Sequence, residues 1–307
     1  MLWCFSVSYL FAGVLFFLVF LVFFSLVAFF VLVERKVLGL SQSRFGPQKV
    51  SLLGIFQSFA DFIKLIGKTD FFYSLGSFLS YRGSFYYLGV FYFFCCSVCF
   101  IVFFMNSFLY INYFGYSLCW LVIFSSLSGY GFIMCGWGSL SKYSLFGGLR
   151  ASFSSISFEG ALICLVISIG CMFNGYSFAC VWEGSLLSFI TLFGLYVVSL
   201  ICFFSECNRS PFDYFESESD LVSGFNTEYF GLSFALLFAF EYSLMIFFCW
   251  LISFIFFPFF VDFMMFVHSF IFIFVRACFP RMRYDFFTLF IWQHVYVFIF
   301  MILCFVL

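Results

Sequence analysis

The chain has 307 residues, of which 65% are hydrophobic and only 9% charged. Soluble domains average about 25% charged residues, so this chain lacks the polar surface to coat a water-soluble globule. Its formal net charge of −1 offers no global field to attract nucleic acid or another polyanion.

Residues 1–33 carry no charge. A secretory signal would have a basic start and an apolar core of only 7–15 residues. This stretch is too long and lacks that start, so it reads as a membrane span, with no cleavable presequence before it. About 20 apolar residues cross a bilayer core. On that measure the spans are 8–33, 85–106, 116–138, 154–173, 186–206, 229–250, 257–277 and 286–306. The uncharged run 83–141 divides at Asn106-Ser107, Asn112 and Gly115, a turn-like cluster. Pro258 and Asp262 lie near the start of the seventh span. The expected fold is an all-α multi-pass membrane protein, a single integral membrane domain over 1–307 with about eight transmembrane helices.

Between the first two spans lies the loop 34–84. Within it, residues 51–66 are too short and too polar to cross. Leu52, Ile55, Phe56, Phe59, Phe62 and Ile63 recur at three- and four-residue steps, opposite Gln57, Asp61 and Lys64. This spacing predicts an amphipathic helix lying in the interface.

Eight alternating spans put loops 34–84, 139–153, 207–228 and 277–285 on one side. These loops and the helix ends that open into them hold all 13 Lys and Arg residues. The opposite loops hold only Glu183 and Asp262. By the positive-inside rule the basic side is cytoplasmic or, in a mitochondrion, the matrix, and both termini face the other way.

The loop 207–228 and its flanks hold Glu206, Asp213, Glu216, Glu218, Asp220 and Glu228 against one base, Arg209. If Asp213 to Asp220 is helical, Asp213, Glu216 and Asp220 share a face. Acids packed so closely cannot all ionise cheaply, so such a cluster can take up and release protons. Phe212, Phe215, Leu221, Val222 and Phe225 in the same loop argue that it is packed rather than solvated. Two more acids, Glu159 and Glu241, fall inside spans. Glu159 stands about 13 Å along a helix from Arg150, and Glu241 about 20 Å from Glu228 if one helix joins them. An acid at membrane depth costs several kcal/mol and marks an ion or proton path, or a structural hydrogen bond.

Cys96-Ser97-Val98-Cys99 matches a CxxC pattern, but it lies in an uncharged stretch with no second CxxC and no nearby His. We read these thiols as small buried hydrophobes and expect no metal. The 62 Phe residues read as lipid-facing filler from a T-rich, strand-skewed gene of the organelle type, not as a ligand cage.

Several blocks resemble one family. They are Glu34-Arg35-Lys36-Val37-Leu38-Gly39, Arg44-Phe45-Gly46-Pro47, and Phe59-Ala60-Asp61 with Lys64-Leu65. Gly136-Trp137, Ser141-Lys142-Tyr143, Gly148-Leu149-Arg150-Ala151 and Ile156-Ser157-Phe158-Glu159 follow. The longest runs from Glu206-Cys207-Asn208-Arg209-Ser210-Pro211-Phe212-Asp213 through Glu216-Ser217-Glu218 and Leu221-Val222-Ser223-Gly224-Phe225-Asn226 to Glu228-Tyr229. Ala239-Phe240-Glu241-Tyr242, Arg276-Ala277 and Phe279-Pro280-Arg281-Met282-Arg283-Tyr284-Asp285 complete the set. In order, from about 34 to 294, this pattern resembles chain 1 of NADH–quinone oxidoreductase, the heel membrane subunit of respiratory complex I.

The resemblance implies a quinone chamber, built with soluble partner subunits at the charged face, and an acidic path toward neighbouring membrane subunits. By motif position, Glu34, Arg35, Asp61, Arg209, Phe225, Arg276 and Arg281 would border the chamber. Glu206, Asp213, Glu216 and Glu218 would form its acidic wall. Glu159, Glu228 and Glu241 would carry charge into the membrane. Ubiquinone or a related quinone would be the substrate, while NADH, FMN and iron–sulfur clusters would belong to partner subunits. The expected location is the mitochondrial inner membrane, with both termini toward the intermembrane space and the gene in the organelle. The pattern departs from the family in three places. Lys68-Thr69-Asp70 lacks the usual proline, Cys207 stands where Thr is usual, and the seventh span offers His268 where many relatives have Lys. A stand-alone proton or cation transporter and the related membrane subunit of a hydrogenase are the competing readings; no internal repeat of the transporter type is visible.

Overall fold

The computed structural model describes residues 2–68, 81–108, 115–139, 141–182, 193–213 and 224–306. The helices among them are α1 (Leu2–Ser41), α2 (Gln57–Gly67), α3 (Tyr81–Phe108), α4 (Ser117–Gly138), α5 (Lys142–Met172) and α6 (Phe178–Trp182). They continue with α7 (Phe193–Glu206), α8 (Gly231–Phe256), α9 (Val261–Cys278), α10 (Tyr284–Phe290) and α11 (Tyr296–Val306). A π-helical turn, Ile291–Val295, joins the last two into one rod. Seven of the described helices are long and apolar enough to cross a membrane. The fifth expected span, 186–206, is described only from Phe193 onward, as α7.

Helix α8 is the centre of the bundle. Its mean hydropathy is 2.0, with 83% of its most apolar window buried. No amphipathic stripe is needed in a helix enclosed on all sides. Phe240, Phe247, Phe248 and Phe256 are each fully buried. Phe93 and Phe100 of α3 pack against Phe240 and Phe247, at ring separations of 4.5 and 4.7 Å.

Helices α3, α4 and α5 approach closely through small residues. A Cβ on Gly148 would sit 2.8 Å from the Phe132 carbonyl, and one on Gly138 would sit 2.5 Å from Tyr86. Apolar side chains gain little from leaving lipid, so close backbone approach is how membrane helices associate.

The helix ends fall into two groups. On the basic side, Tyr86 bonds Ser233 at 2.8 Å, Tyr229 donates to the Cys135 carbonyl at 3.1 Å, and the Met282 amide donates to the Pro211 carbonyl at 3.0 Å. On the other side, Ser117 accepts from the Phe178 amide at 2.9 Å, and Phe178 packs on Trp250 and Phe254.

Four boundaries that bear on the site differ from the expectation. The amphipathic helix occupies Gln57–Gly67, not 51–66. Ser51, Leu53 and Gly54 have φ of 59°, 60° and 75°, and a Cβ at Gly54 would meet the Pro47 carbonyl oxygen at 2.3 Å. The chain therefore turns there, and Leu52, Ile55 and Phe56 precede the helix. Secondly, α1 does not close at Glu34-Arg35-Lys36 but runs on to Ser41. The two bases find partners beside the helix: Arg35 pairs with Asp61, and Lys36 donates to the Leu53 carbonyl at 2.6 Å. Thirdly, the loop expected at 139–153 is short. Ser141 caps α5, accepting from the Ser144 amide at 3.3 Å, so Lys142 and Arg150 are helical. Lastly, no single helix joins Glu228 to Glu241. A 3-10 turn, Gly224–Glu228, precedes Gly231, whose φ of 59° starts α8, so Glu241 lies about 15 Å into that helix.

Candidate functional site

A cavity of about 520 Å³ opens between α1, α2 and α8. Phe24, Val27, Ala28 and Val31 of α1, Phe59, Phe62 and Leu65 of α2, and Phe234, Phe238 and Tyr242 of α8 make its walls apolar. The volume is that of a typical ligand pocket. Among the described residues, the only charged side chains in its lining are Arg35 and Asp61. These two pair at 2.7 Å, and Gln57 holds the second Asp61 oxygen at 3.0 Å.

Behind the cavity the ionisable groups are buried. Tyr242 forms the hinge between cavity and interior. Its hydroxyl donates to Glu34 Oε2 at 2.6 Å. Glu34, itself 2% exposed, binds Arg276 through its other oxygen. The Arg209 guanidinium lies over the Tyr242 ring, 4.4 Å from its centroid, a cation–π contact. Arg209 also pairs with Glu241 at 3.4 Å, both side chains being nearly inaccessible. One tyrosine thus touches two buried ion pairs, Glu34–Arg276 and Arg209–Glu241, drawn from α1, α8, α9 and the segment after α7.

The local sequence explains how Arg209 arrives there. Asn208 has φ of 49°, the left-handed conformation that Asn tolerates at a helix end. It ends α7 and turns the chain back into the bundle. The Ser154 hydroxyl holds the Asn208 side chain at 3.2 Å. Beside it, burial, reinforced by Cys249 and Glu206, pushes the Cys207 thiol well above its usual range despite Arg209. That thiol stays protonated and serves as packing.

A second acidic region lies on α5 and α7. Glu206 is buried, its Oε1 has no hydrogen-bond partner, and it is within electrostatic reach of Glu159. Glu159 is about half buried on α5. Among the described residues no Lys or Arg pairs with either acid.

The structure therefore brings together Glu34, Arg35, Asp61, Arg209, Arg276 and Glu241 around the cavity and Tyr242. Asp213 is buried and pairs with Arg281 at 3.2 Å, linking the post-α7 segment to the turn before α10. Phe225 packs edge-on against Phe132, 5.2 Å away, and does not line the described cavity. Glu216 and Glu218 lie outside the described residues, as does the expected shared face of Asp213, Glu216 and Asp220. Glu228 is described only in its backbone. Sequence reasoning passed over Tyr242. Its one signal was adjacency to Glu241 within Ala239-Phe240-Glu241-Tyr242, and adjacency on a helix says nothing of a contact to α1.

His268, which the seventh expected span offers where many relatives have Lys, is fully buried. Its ring bonds Tyr196 and Ser253, each at 3.0 Å.

Comparison with known proteins extends over nearly the whole chain. The NADH dehydrogenase family matches residues 14–307. A protein of Artemia franciscana named NADH-ubiquinone oxidoreductase chain 1 is 37% identical over 291 residues, covering 91% of this chain and 92% of its own. Proteins of the same name from Apis mellifera ligustica and Locusta migratoria are 36% and 38% identical, each over 84% of this chain. These two alignments cover 85% and 83% of the relatives' own lengths.

Proposed function

The chain belongs to the NADH dehydrogenase family, and from that premise we propose that it receives a quinone in the cavity between α1, α2 and α8. It works as a core membrane subunit of the proton-translocating NADH–ubiquinone oxidoreductase of the mitochondrial inner membrane. NADH oxidation and electron delivery belong to partner subunits. This chain contributes quinone binding and the coupling of quinone chemistry to charge movement.

The observation that carries this reading is the junction at Tyr242. An apolar cavity of about 520 Å³ is walled by a tyrosine whose hydroxyl and ring engage Glu34 and Arg209. The apolar walls suit an isoprenoid tail. The Arg35–Asp61 pair at the rim suits a polar group facing water. Reduction of a quinone to a quinol takes two electrons and two protons, so negative charge develops on the ring until protons reach it. Buried ion pairs feel that charge strongly, because the surrounding dielectric is low. A change at Tyr242 is felt by Glu34–Arg276 and by Arg209–Glu241 together. From Glu241, and from Glu206 and Glu159 on α7 and α5, the displacement passes into the membrane. Glu216, Glu218 and Glu228 extend the acidic side of the same path. Asp213, held by Arg281, closes it toward the soluble partners, and Phe225 is a packing support. The basic face is the matrix face, and both termini point to the intermembrane space.

The test is photolabelling of the assembled complex with a short-tailed quinone bearing a photoreactive group. Label should fall on residues 21–35, 58–65 and 234–242 and be displaced by native quinone. Displaceable label confined to α4, α5 or α9 would refute the assignment.

A further inference from the structure

The last rod of the molecule carries a hydroxyl that the site described above does not use. Tyr296 follows the π-helical turn Ile291–Val295. A π turn inserts one residue into a helix and rotates everything after it, and such turns concentrate at functional positions. Here the rotation aims the Tyr296 side chain at α5. Its hydroxyl donates to the Ser157 carbonyl at 3.2 Å. In a regular helix that carbonyl also accepts from the amide four residues on, that of Ala161. The hydroxyl is thus lodged in the backbone ladder of a single turn of α5. That turn carries Glu159.

The fit depends on glycine. Gly160 lies directly under the hydroxyl, and a Cβ there would stand 2.0 Å from the Tyr296 oxygen and 3.1 Å from Cζ. No other residue permits this approach without moving the ring. The surroundings join the two acids of the second region. The last rod packs against both helices that carry these acids, α5 and α7. The hydroxyl therefore sits at the seam between the helix bearing Glu159 and the helix bearing Glu206. Side chains that insert into a helical ladder bend the turn they enter. Bending the turn 157–161 changes where Glu159 points.

We propose that Tyr296 is a positioning residue for Glu159: its hydroxyl, seated on Gly160, sets the geometry of the α5 turn that presents this carboxyl to Glu206. The proposal rests on the reading of Glu159 as a member of the charge path, and it concerns orientation rather than proton carriage by the tyrosine itself.

Tyr296→Phe in the assembled complex keeps the ring and removes the hydroxyl. Two readouts are needed: quinone turnover with proton pumping, and the infrared carboxyl band of Glu159, identified as the band missing from Glu159→Gln. Turnover and pumping should fall roughly fivefold, the equivalent of one neutral hydrogen bond, with the apparent KM for quinone unchanged. The Glu159 band should shift. Gly160→Ala, which drives the hydroxyl off the turn, should shift the same band. A band at its normal frequency in Tyr296→Phe would overturn the proposal, whether turnover is normal or reduced. Reduced turnover alone would mean that the hydroxyl merely ties two helices together. The parent reading fails differently: Glu159→Gln would pump normally, while the band in Tyr296→Phe would still decide the positioning.

Discussion

The two acidic regions of this molecule are built in opposite ways. Around Tyr242 every described carboxylate has a basic partner: Glu34 with Arg276, Glu241 with Arg209, Asp61 with Arg35. On α5 and α7, Glu159 and Glu206 lie within electrostatic reach of one another and pair with no described base. A buried ion pair resists change, because removing either partner strands the other in low dielectric. An acid without a base is costly in its charged form and so is the group that gives up or takes a proton when its surroundings change. The paired region is thus fitted to hold the cavity proposed for quinone in shape and to transmit a field. The unpaired region is fitted to change its protonation.

Stability measurements should separate the two. The largest loss is expected for Glu241→Gln, which breaks a pair whose side chains are only 6% and 4% exposed. Breaking such a pair costs on the order of 3 kcal/mol. The variant complex should assemble poorly or melt early, and Glu241→Gln combined with Arg209→Gln should recover part of the loss. Normal melting of the single variant would remove this pair from the structural core.

A smaller loss, about 2 kcal/mol, is expected of Tyr242→Phe, which deletes a buried hydrogen bond to a charged acceptor. The ring stays under Arg209, so the cation–π contact survives. Quinone titration should give a raised apparent KM. Tyr242→Leu should lower stability further because that contact goes too. Equal melting of the Phe and Leu variants would show that the ring contributes nothing to holding Arg209.

Smaller still is the effect of Arg35→Ala or Asp61→Asn. Their side chains are 50% and 34% exposed, and such a pair is worth at most about 1 kcal/mol. Melting should barely move. The apparent KM for quinone should rise, since both residues stand at the cavity rim. An unchanged KM in both variants would detach the rim from quinone entry.

These pairings mark the limit of what the sequence disclosed. Spans could be read because a bilayer demands long apolar runs, and a basic side is expected because every Lys and Arg falls on one set of loops or on the helix ends that open into them. Ends were harder. Nothing in Glu34-Arg35-Lys36 tells that the helix runs on to Ser41, since the partners of Arg35 and Lys36 come from residues 53 and 61. The helix expected at 51–66 had the right stripe, but Gly54 folds against Pro47 and shortens it. In the site, motif position supplied Glu34, Arg35, Asp61, Arg209, Glu241 and Arg276 as separate names. Who pairs with whom could not be read. Glu34 lies 208 residues from Tyr242 and 242 from Arg276, and only packing brings them together. The cavity had no sequence signal at all, because its walls are the same Phe, Val and Leu that face lipid elsewhere.

The smallest change in stability belongs to the unpaired region, and there the functional effect should be large. Glu159→Gln replaces an acid with a neutral side chain of nearly the same shape. No described Lys or Arg is stranded, so the complex should melt within about 0.5 kcal/mol of the parent, as for substitutions that break no pair. Glu159 stands on α5 and does not line the cavity, so the apparent KM for quinone should also hold. What is lost, on the proposed path, is a group that can exchange a proton with Glu206. In a coupled enzyme, quinone reduction cannot run ahead of the charge displacement it drives, so turnover and pumping should fall together. NADH oxidation by an artificial acceptor that draws electrons upstream should continue at its normal rate. Glu241→Gln should also lower turnover, but with a loss of stability and from a position behind the cavity proposed for quinone. A Glu159→Gln complex that melted early would place this acid among the structural pairs. One that pumped at the normal rate and ratio would leave the α5–α7 seam without a part in coupling.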